Sequence, residues 1–285
     1  MKKILSLILA VGLTFSLVAC GGTTESAEQP TETAEQENQN TGSEENSNSK
    51  VDEIKEKGYI SVATSPDYAP YEFKIIENGQ EKIVGFDIAI VEEVAKDLGV
   101  DLKIVEMDFD GILLELESGN VDLGMSGFSV TEERKKAVDF SDVYYTASQS
   151  ILVKASDLET YTSAESFANK NIGVQLTSIQ ESMAREQLTG ANIVSLSTIP
   201  NIIMDLNIGN IDAAVVETPV AEGYVEQFPD LAISEVKLVE ETNGAAIAIK
   251  KGNGDLVEAV NSTITRLKSE NLIDKFVAEA NELVG

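Results

Sequence analysis

The stretch Ile112-Leu-Leu-Glu-Leu-Glu-Ser-Gly-Asn-Val-Asp-Leu-Gly-Met125 returns later in the chain as Ile202-Ile-Met-Asp-Leu-Asn-Ile-Gly-Asn-Ile-Asp-Ala-Ala-Val215. Both copies read as an amphipathic helix, a Gly-Asn stop, a branched residue, an aspartate and an apolar strand. Glycine suits the position just past a helix end, where the backbone turns left-handed. The apolar strand over 121–125 suits the inside of a sheet covered on both faces. A helix followed by a strand is a common building block, and one match can arise by chance. Agreement over this length nevertheless predicts two lobes of one architecture. Two α/β lobes place a ligand outside the carboxyl ends of their strands, in the crevice between them. Ser126-Gly127 and Glu217 follow the two strands and are candidate cleft positions.

Working outward, the chain from Val51 to Gly285 alternates strands and helices. Residues 59–63 alternate in polarity and break at Pro66, so they predict a strand. Asp87 is the expected N-cap of a helix over 88–98 that stops at Gly99. Residues 102–105 and 247–249 predict further strands, and 256–267 and 272–283 further helices. Ser129 and Glu132 have the spacing of a capping box, which makes Ser129 an expected helix cap. Thr177-Ser178 precede a helical stretch over 180–188, and a helix start is an anion site. Phe86 and Phe140 read as core. Asp67 is placed to cap a turn before Pro70.

Composition narrows the function. Lys and Arg number 21 against 49 Asp and Glu, a net charge of −28, which repels nucleic acid and anionic membranes. The chain has no His, so the commonest metal ligand and the commonest neutral-pH general base are missing. A single Cys allows neither an intrachain disulfide nor a Cys-rich metal site. No metal and no cofactor are expected.

The first residues, Lys2-Lys3 and an apolar run from Ile4 to Ala19, have the pattern of a secretory signal. Ser6, Gly12, Thr14 and Ser16 interrupt the run, which is short against the ~20 apolar residues of a membrane span. A single membrane anchor is the alternative. Leu17-Val18-Ala19-Cys20 resembles the bacterial lipobox, and the chain's only Cys stands where the apolar run ends. That resemblance implies cleavage of residues 1–19 and acylation (palmitate) of Cys20, and more than one acyl chain gives stable anchoring. Residues 21–49 are acidic and polar with hardly any apolar side chain, too few to fold. Together with Cys20 they form an expected tether over 20–49, with a reach on the order of 30 Å.

Six motifs give the body a specific likeness: Tyr68-Ala-Pro-Tyr-Glu-Phe73, Gly85-Phe-Asp87, Asp108-Phe-Asp110, Ser126-Gly-Phe-Ser-Val-Thr-Glu-Glu-Arg134, Asp139-Phe-Ser-Asp142 and Ile172-Gly-Val-Gln-Leu-Thr-Ser-Ile-Gln-Glu181. From about Val51 to Leu283 the chain resembles the bacterial extracellular solute-binding proteins of family 3, which serve polar amino-acid ABC importers. The resemblance implies an α/β, two-lobed periplasmic-binding-protein-like fold of type II, with two crossing strands and one ligand cleft. Lobe 1 is expected over 50–145 and 243–285 and lobe 2 over 146–242, with crossings at Tyr144-Tyr145-Thr146 and over 237–243.

It also implies a site for a free amino acid. Arg134 matches the carboxylate-binding arginine, and a guanidinium fork suits that group. Ser129, Thr177 and Ser178 are expected at the same carboxylate, although the family often has Gly where Thr177 stands. Glu217 matches the acid that takes the ammonium, with main-chain oxygens near Ser126 or Gly127 completing its shell. Tyr68 and Phe109 match the rings that sandwich the ligand side chain. Ser65 stands where lysine- and arginine-binding relatives often have Asp, with Asp67 nearby. The implied ligands are arginine, lysine, glutamine or cystine. The implied partners are the transmembrane permease subunits, with the protein a monomer on the outer face of the cytoplasmic membrane. An enzyme on the same fold is the alternative: a dehydratase of small carboxylic acids with Glu217 as general acid. The lack of His and the ammonium partner opposite Arg134 argue against it. A receptor's sensing module would need a span or signalling domain after Gly285.

Overall fold

A computed structural model describes residues 49–239 and 244–284. The leader, Cys20 and nearly all of the acidic stretch lie outside these residues, as does part of the second expected crossing.

The chain enters through α1 (Lys50–Lys57) and β1 (Tyr59–Thr64), then forms a small antiparallel sheet of β2 (Asp67–Tyr68), β3 (Glu72–Glu77) and β4 (Gln80–Val84). There follow α2 (Phe86–Leu98), β5 (Asp101–Glu106), α3 (Phe109–Ser118), β6 (Leu123–Gly124), α4 (Arg134–Ala137) and β7 (Val138–Phe140). The second lobe runs through β8 (Gln149–Lys154), β9 (Asn171–Gln175), α5 (Ile179–Gln187), β10 (Asn192–Leu196), α6 (Ile199–Ile208), β11 (Ala213–Glu217), α7 (Thr218–Gln227) and β12 (Leu231–Ile233). The chain then returns with β13 (Ala248–Lys250), α8 (Gly254–Ser269) and α9 (Leu272–Val284).

Each lobe holds a five-stranded sheet, ordered β5-β1-β6-β13-β7 in the first and β10-β9-β11-β8-β12 in the second. The two orders correspond strand for strand. The first three strands of each sheet are parallel, and the fourth runs against its neighbours on both sides. The repeated sequence forms the central strands β6 and β11. Its aspartate does the same work twice. Asp122 accepts the Ser61 N–H at 2.8 Å and returns its own N–H to the Ser61 carbonyl. Asp212 accepts the Asn171 N–H at 2.8 Å and returns its N–H to Asn171 in the same way. The Gly-Asn stop likewise recurs, with Gly119 at φ +78° and Gly209 at φ +86° ending α3 and α6. β6 is shorter than the expected 121–125, although the N–H groups of Asp122 and Met125 still bond to β1 carbonyls.

Both faces of each sheet are covered. On β8, Leu152 packs toward Ile202, Ile203 and Val220, whereas Ile151 and Val153 pack toward Ala184 and Leu188. Alternate side chains of a strand point to opposite faces, so both sets are apolar only because helices lie on both sides. In the first lobe Val62 and Leu123 meet Val91, Val94 and Val260, and the far face packs Ile112 and Leu116 against Ala63 and Ala248. The lobes are joined where Ser129 and Tyr145 each form an antiparallel bridge with Ala245.

Asp122 is 3 % exposed at its side chain, against 33 % for Asp212, and its partners include Lys50 and Lys57. Asp122→Ala strands buried donors and is expected to lower the unfolding free energy by about 3 kcal/mol, with Asp212→Ala costing about half as much. Urea unfolding of both variants measures this, and equal losses would contradict the account.

Candidate functional site

A narrow cleft lies between the lobes, drawn nearly shut to a volume of about 10 Å³. The first lobe lines it with Tyr68, Phe109, Ser126, Gly127, Ser129 and Arg134. The second lines it with Gln175, Ser178, Ile179, Gln180 and Glu217. It sits off the carboxyl ends of β6 and β11, the place the repeated sequence predicts for a ligand.

One end is cationic. Arg134 opens α4, and its guanidinium donates to the carbonyls of Ser129 at 2.9 Å and Thr177 at 3.2 Å. It lies over the rings of Phe128 and Phe109, 5.1 and 5.6 Å from their centres. No carboxylate pairs with it among the described residues, and burial alone pulls its pKa down to about 10. A desolvated cation without a counter-ion is costly, so this end favours an arriving anion. Across the cleft, Ser178 caps α5: its hydroxyl accepts from the Glu181 N–H at 3.1 Å and donates to the Gln175 carbonyl at 2.7 Å. The start of α5 therefore turns its dipole toward the same end. Thr177 does not line the cleft. It stands at φ +63° with its N–H on Glu181, in the left-handed region where glycine is at ease.

Ser129 departs from its expected capping role. α4 begins only at Arg134, whose N–H bonds to the Thr131 hydroxyl, because the backbone at Ser129 is held extended by its bridge to Ala245.

The other end is acidic. Glu217 closes β11, is 5 % exposed, and accepts the Tyr71 hydroxyl. Its N–H donates to the Tyr68 hydroxyl at 3.1 Å, so two tyrosines of the first lobe grip one residue of the second. Behind Ser126 and Gly127 lie Glu72 and Asp87, both fully buried. The Ser126 hydroxyl donates to Glu72, and the Gly127 N–H and Tyr144 hydroxyl donate to Asp87 at 3.0 and 2.9 Å. Burial raises both acids: Asp87 to about 6, and Glu72, beside Asp87, well above the carboxylate range.

Asp87 is therefore not the helix cap expected from sequence. α2 starts two residues earlier, capped by Gly85 at φ +129°, and its first N–H groups bond to the carbonyls of Pro70 and Tyr71. A Cβ at Gly85 would sit 2.0 Å from the Tyr71 oxygen, so only glycine permits this close approach. That contact frees the Asp87 carboxyl to face Gly127.

Asp67 also has a role beyond a local turn. It accepts the Ile199 N–H at 2.9 Å and so caps α6 of the opposite lobe, whose own N-cap Thr198 provides no side-chain bond. The Ser65 hydroxyl donates to it at 3.1 Å, and neither residue lines the cleft. Gln175, Ile179 and Gln180 line the cleft without having been singled out by sequence. Gln180 donates to Gln149 at 2.9 Å and reaches the Tyr68 hydroxyl at 3.5 Å. The sequence signals for it are its place at the very start of an expected anion-binding helix and within the motif over 172–181.

Two lobes of one topology, closing over a polar cleft with a cation at one end and an acid at the other, define a two-lobed solute-binding protein. Residues 60–279 match the family model for bacterial extracellular solute-binding proteins, family 3, and the chain belongs to that family. It is 34 % identical over 280 residues to the arginine-binding extracellular protein ArtP of Bacillus subtilis, covering 96 % of each chain. Among solved structures it is 43 % identical, with a TM-score of 0.80, to the amino acid ABC transporter substrate-binding protein AbpA of Streptococcus pneumoniae bound to L-arginine, over 82 % of this chain and 98 % of that one. An ancestral amino-acid-binding protein, AncCDT-1, described as a precursor of cyclohexadienyl dehydratase, is 35 % identical with a TM-score of 0.74, over 81 % and 99 % of the two chains.

Asp67 has its pKa raised by burial from the ordinary 3.8 to about 6. The folded state then holds this proton more tightly than the unfolded chain. Stability from this group is greatest below about pH 4 and declines as pH rises to about 6, by about 1.4 kcal/mol per pH unit. Asp67→Asn keeps the shape and removes the titration, so unfolding free energies measured from pH 4 to 6 are expected to lose one proton's worth of slope. An unchanged slope would contradict the buried latch.

Proposed function

We propose that this chain captures a free cationic or polar amino acid, L-arginine foremost, outside the cytoplasmic membrane and delivers it to an ABC permease. The observation that carries this reading is the desolvated Arg134 guanidinium, without a carboxylate partner among the described residues, set against the buried Glu217 at the other end of the same cleft. An α-amino acid brings the two complementary charges at fixed separation. Its carboxylate goes to the Arg134 fork and to the start of α5 that Ser178 caps, with Ser129 adding a hydroxyl and Thr177 holding Arg134 through its carbonyl. Its ammonium goes to Glu217 and the main chain at Ser126–Gly127. The side chain lies between Tyr68 and Phe109 over a floor of Gln175 and Gln180, which suits an aliphatic stem ending in hydrogen-bond donors. The likeness to an arginine-bound protein supports the ligand class.

Lobe 1 then comprises 50–145 and 243–285 and lobe 2 comprises 146–242. The bridges at Ala245 mark the flexing crossings, and the contacts Tyr71–Glu217, Asp67–Ile199 and Arg134–Thr177 form on closure. The lipobox supports an anchor through Cys20, with residues 21–49 as tether. A dehydratase reading draws on the likeness to AncCDT-1 and would use Glu217 as general acid; a product peak after incubation with small carboxylic acids would mark it, whereas a binder returns its ligand unchanged.

Calorimetry on protein freed of co-purified ligand tests the reading. L-Arginine is expected to bind stoichiometrically, and Arg134→Ala to cost about 2–5 kcal/mol of binding. Unaltered affinity in that variant would remove Arg134 from the site. Cys20→Ala is expected to release the protein from membranes or block its maturation, and firm retention would mean a true span.

A further inference from the structure

Glu72 on β3 and Asp87 in the first turn of α2 do not line the cleft, yet they lie directly behind two residues that do. Both are fully buried. Ser126 donates its hydroxyl to Glu72, and Gly127 donates its N–H to Asp87. The remaining oxygens, Glu72 Oε2 and Asp87 Oδ1, are buried and meet no donor. Two carboxylates have only acceptors, so one proton held by the pair is what would supply the missing donor. Asp67, Tyr68 and Tyr144 also act on the pair, and Glu217 faces Tyr144 from the opposite lobe; none of these is cationic.

The peptide plane gives this pair a direction. In a trans peptide the N–H of one residue and the carbonyl of the preceding residue point opposite ways. The Gly127 N–H is held backward onto Asp87, so the Ser126 carbonyl is turned away from Asp87, toward the cleft that Ser126 and Gly127 line. Resting on the amino-acid reading above, we infer that Glu72 and Asp87 are positioning residues for the ligand's ammonium. They share one proton, carry one negative charge between them, and aim the Ser126 carbonyl into the site. The charge also lies behind the place where the ammonium docks.

Two amide substitutions separate the parts. Glu72→Gln donates where the shared proton sat and leaves the charge on Asp87. L-Arginine affinity at pH 7 should then stay within about 3-fold of wild type, since the bonds and charge are kept. The double variant Glu72→Gln, Asp87→Asn has the same size and no charge, and affinity should fall at least about 10-fold. Loss of the shared proton at rising pH has no counterpart in Glu72→Gln, so the ratio of wild-type to variant affinity should change with pH, while titration of the ligand's own ammonium affects both alike. A single variant as weak as the double, a double variant binding like wild type, or parallel pH profiles overturns the proposal. A second measurement needs no ligand. As pH rises above the ordinary carboxylate range, wild-type Tm should fall by one proton's worth of slope, and Glu72→Gln should remove it. An unchanged slope overturns the shared proton. Failure of wild type to bind any amino acid would instead count against the amino-acid reading, with the Tm slope still deciding the pair.

Discussion

The site depends on a guanidinium that the protein desolvates and that no carboxylate among the described residues neutralises. Arg134 rests on two phenylalanine rings and two main-chain carbonyls. Such a group is destabilising by itself, since hydrogen bonds to carbonyls return only part of the lost hydration. The deficit is removed only by an anion placed in the cleft. Because the opposite wall presents Glu217, that anion is best supplied by a molecule that also carries a cation a few bonds away. The cation and the acid belong to different lobes, Arg134 to the first and Glu217 to the second.

This division couples binding to closure. The first lobe contributes Arg134, Tyr68, Tyr71 and Asp67, and the second contributes Glu217, Ser178 and the start of α6. Among the described residues the hydrogen bonds between them are few, each modest in net value. A ligand touching both walls adds differential affinity for the closed form, which is the only way a ligand can shift such an equilibrium. The duplicated topology makes this possible. Strands β6 and β11 sit at the same place in two corresponding sheets, so the residues after them arrive at the crevice from opposite sides.

Much of this was legible in the sequence because its signals are local. The Gly-Asn stops, the apolar central strands and the repeated aspartate are local requirements of a helix end and a strand start, and they fix the two lobes. Positions such as Glu217, Ser126 and Ser178 follow from lying just past a strand or before a helix. What sequence misread was non-local. Asp87 has the composition of a cap, but its carboxyl is redirected by the approach of Tyr71 to Gly85, a contact between segments far apart in pattern. Ser129 fits a capping box, yet pairing with Ala245, more than a hundred residues on, keeps its backbone extended. Asp67 looked like a turn residue or a ligand contact and caps a helix of the other lobe. Gln175 and Gln180 carry no motif of their own, and only the packing of α5 against the cleft brings them in.

The most direct test of the central claim is a crystal structure of the protein with L-arginine. The account predicts the ligand carboxylate on the Arg134 fork at the start of α5, and the ammonium between Glu217 and the Ser126 carbonyl. A ligand lying in the reverse direction, or held without touching Arg134, would contradict it.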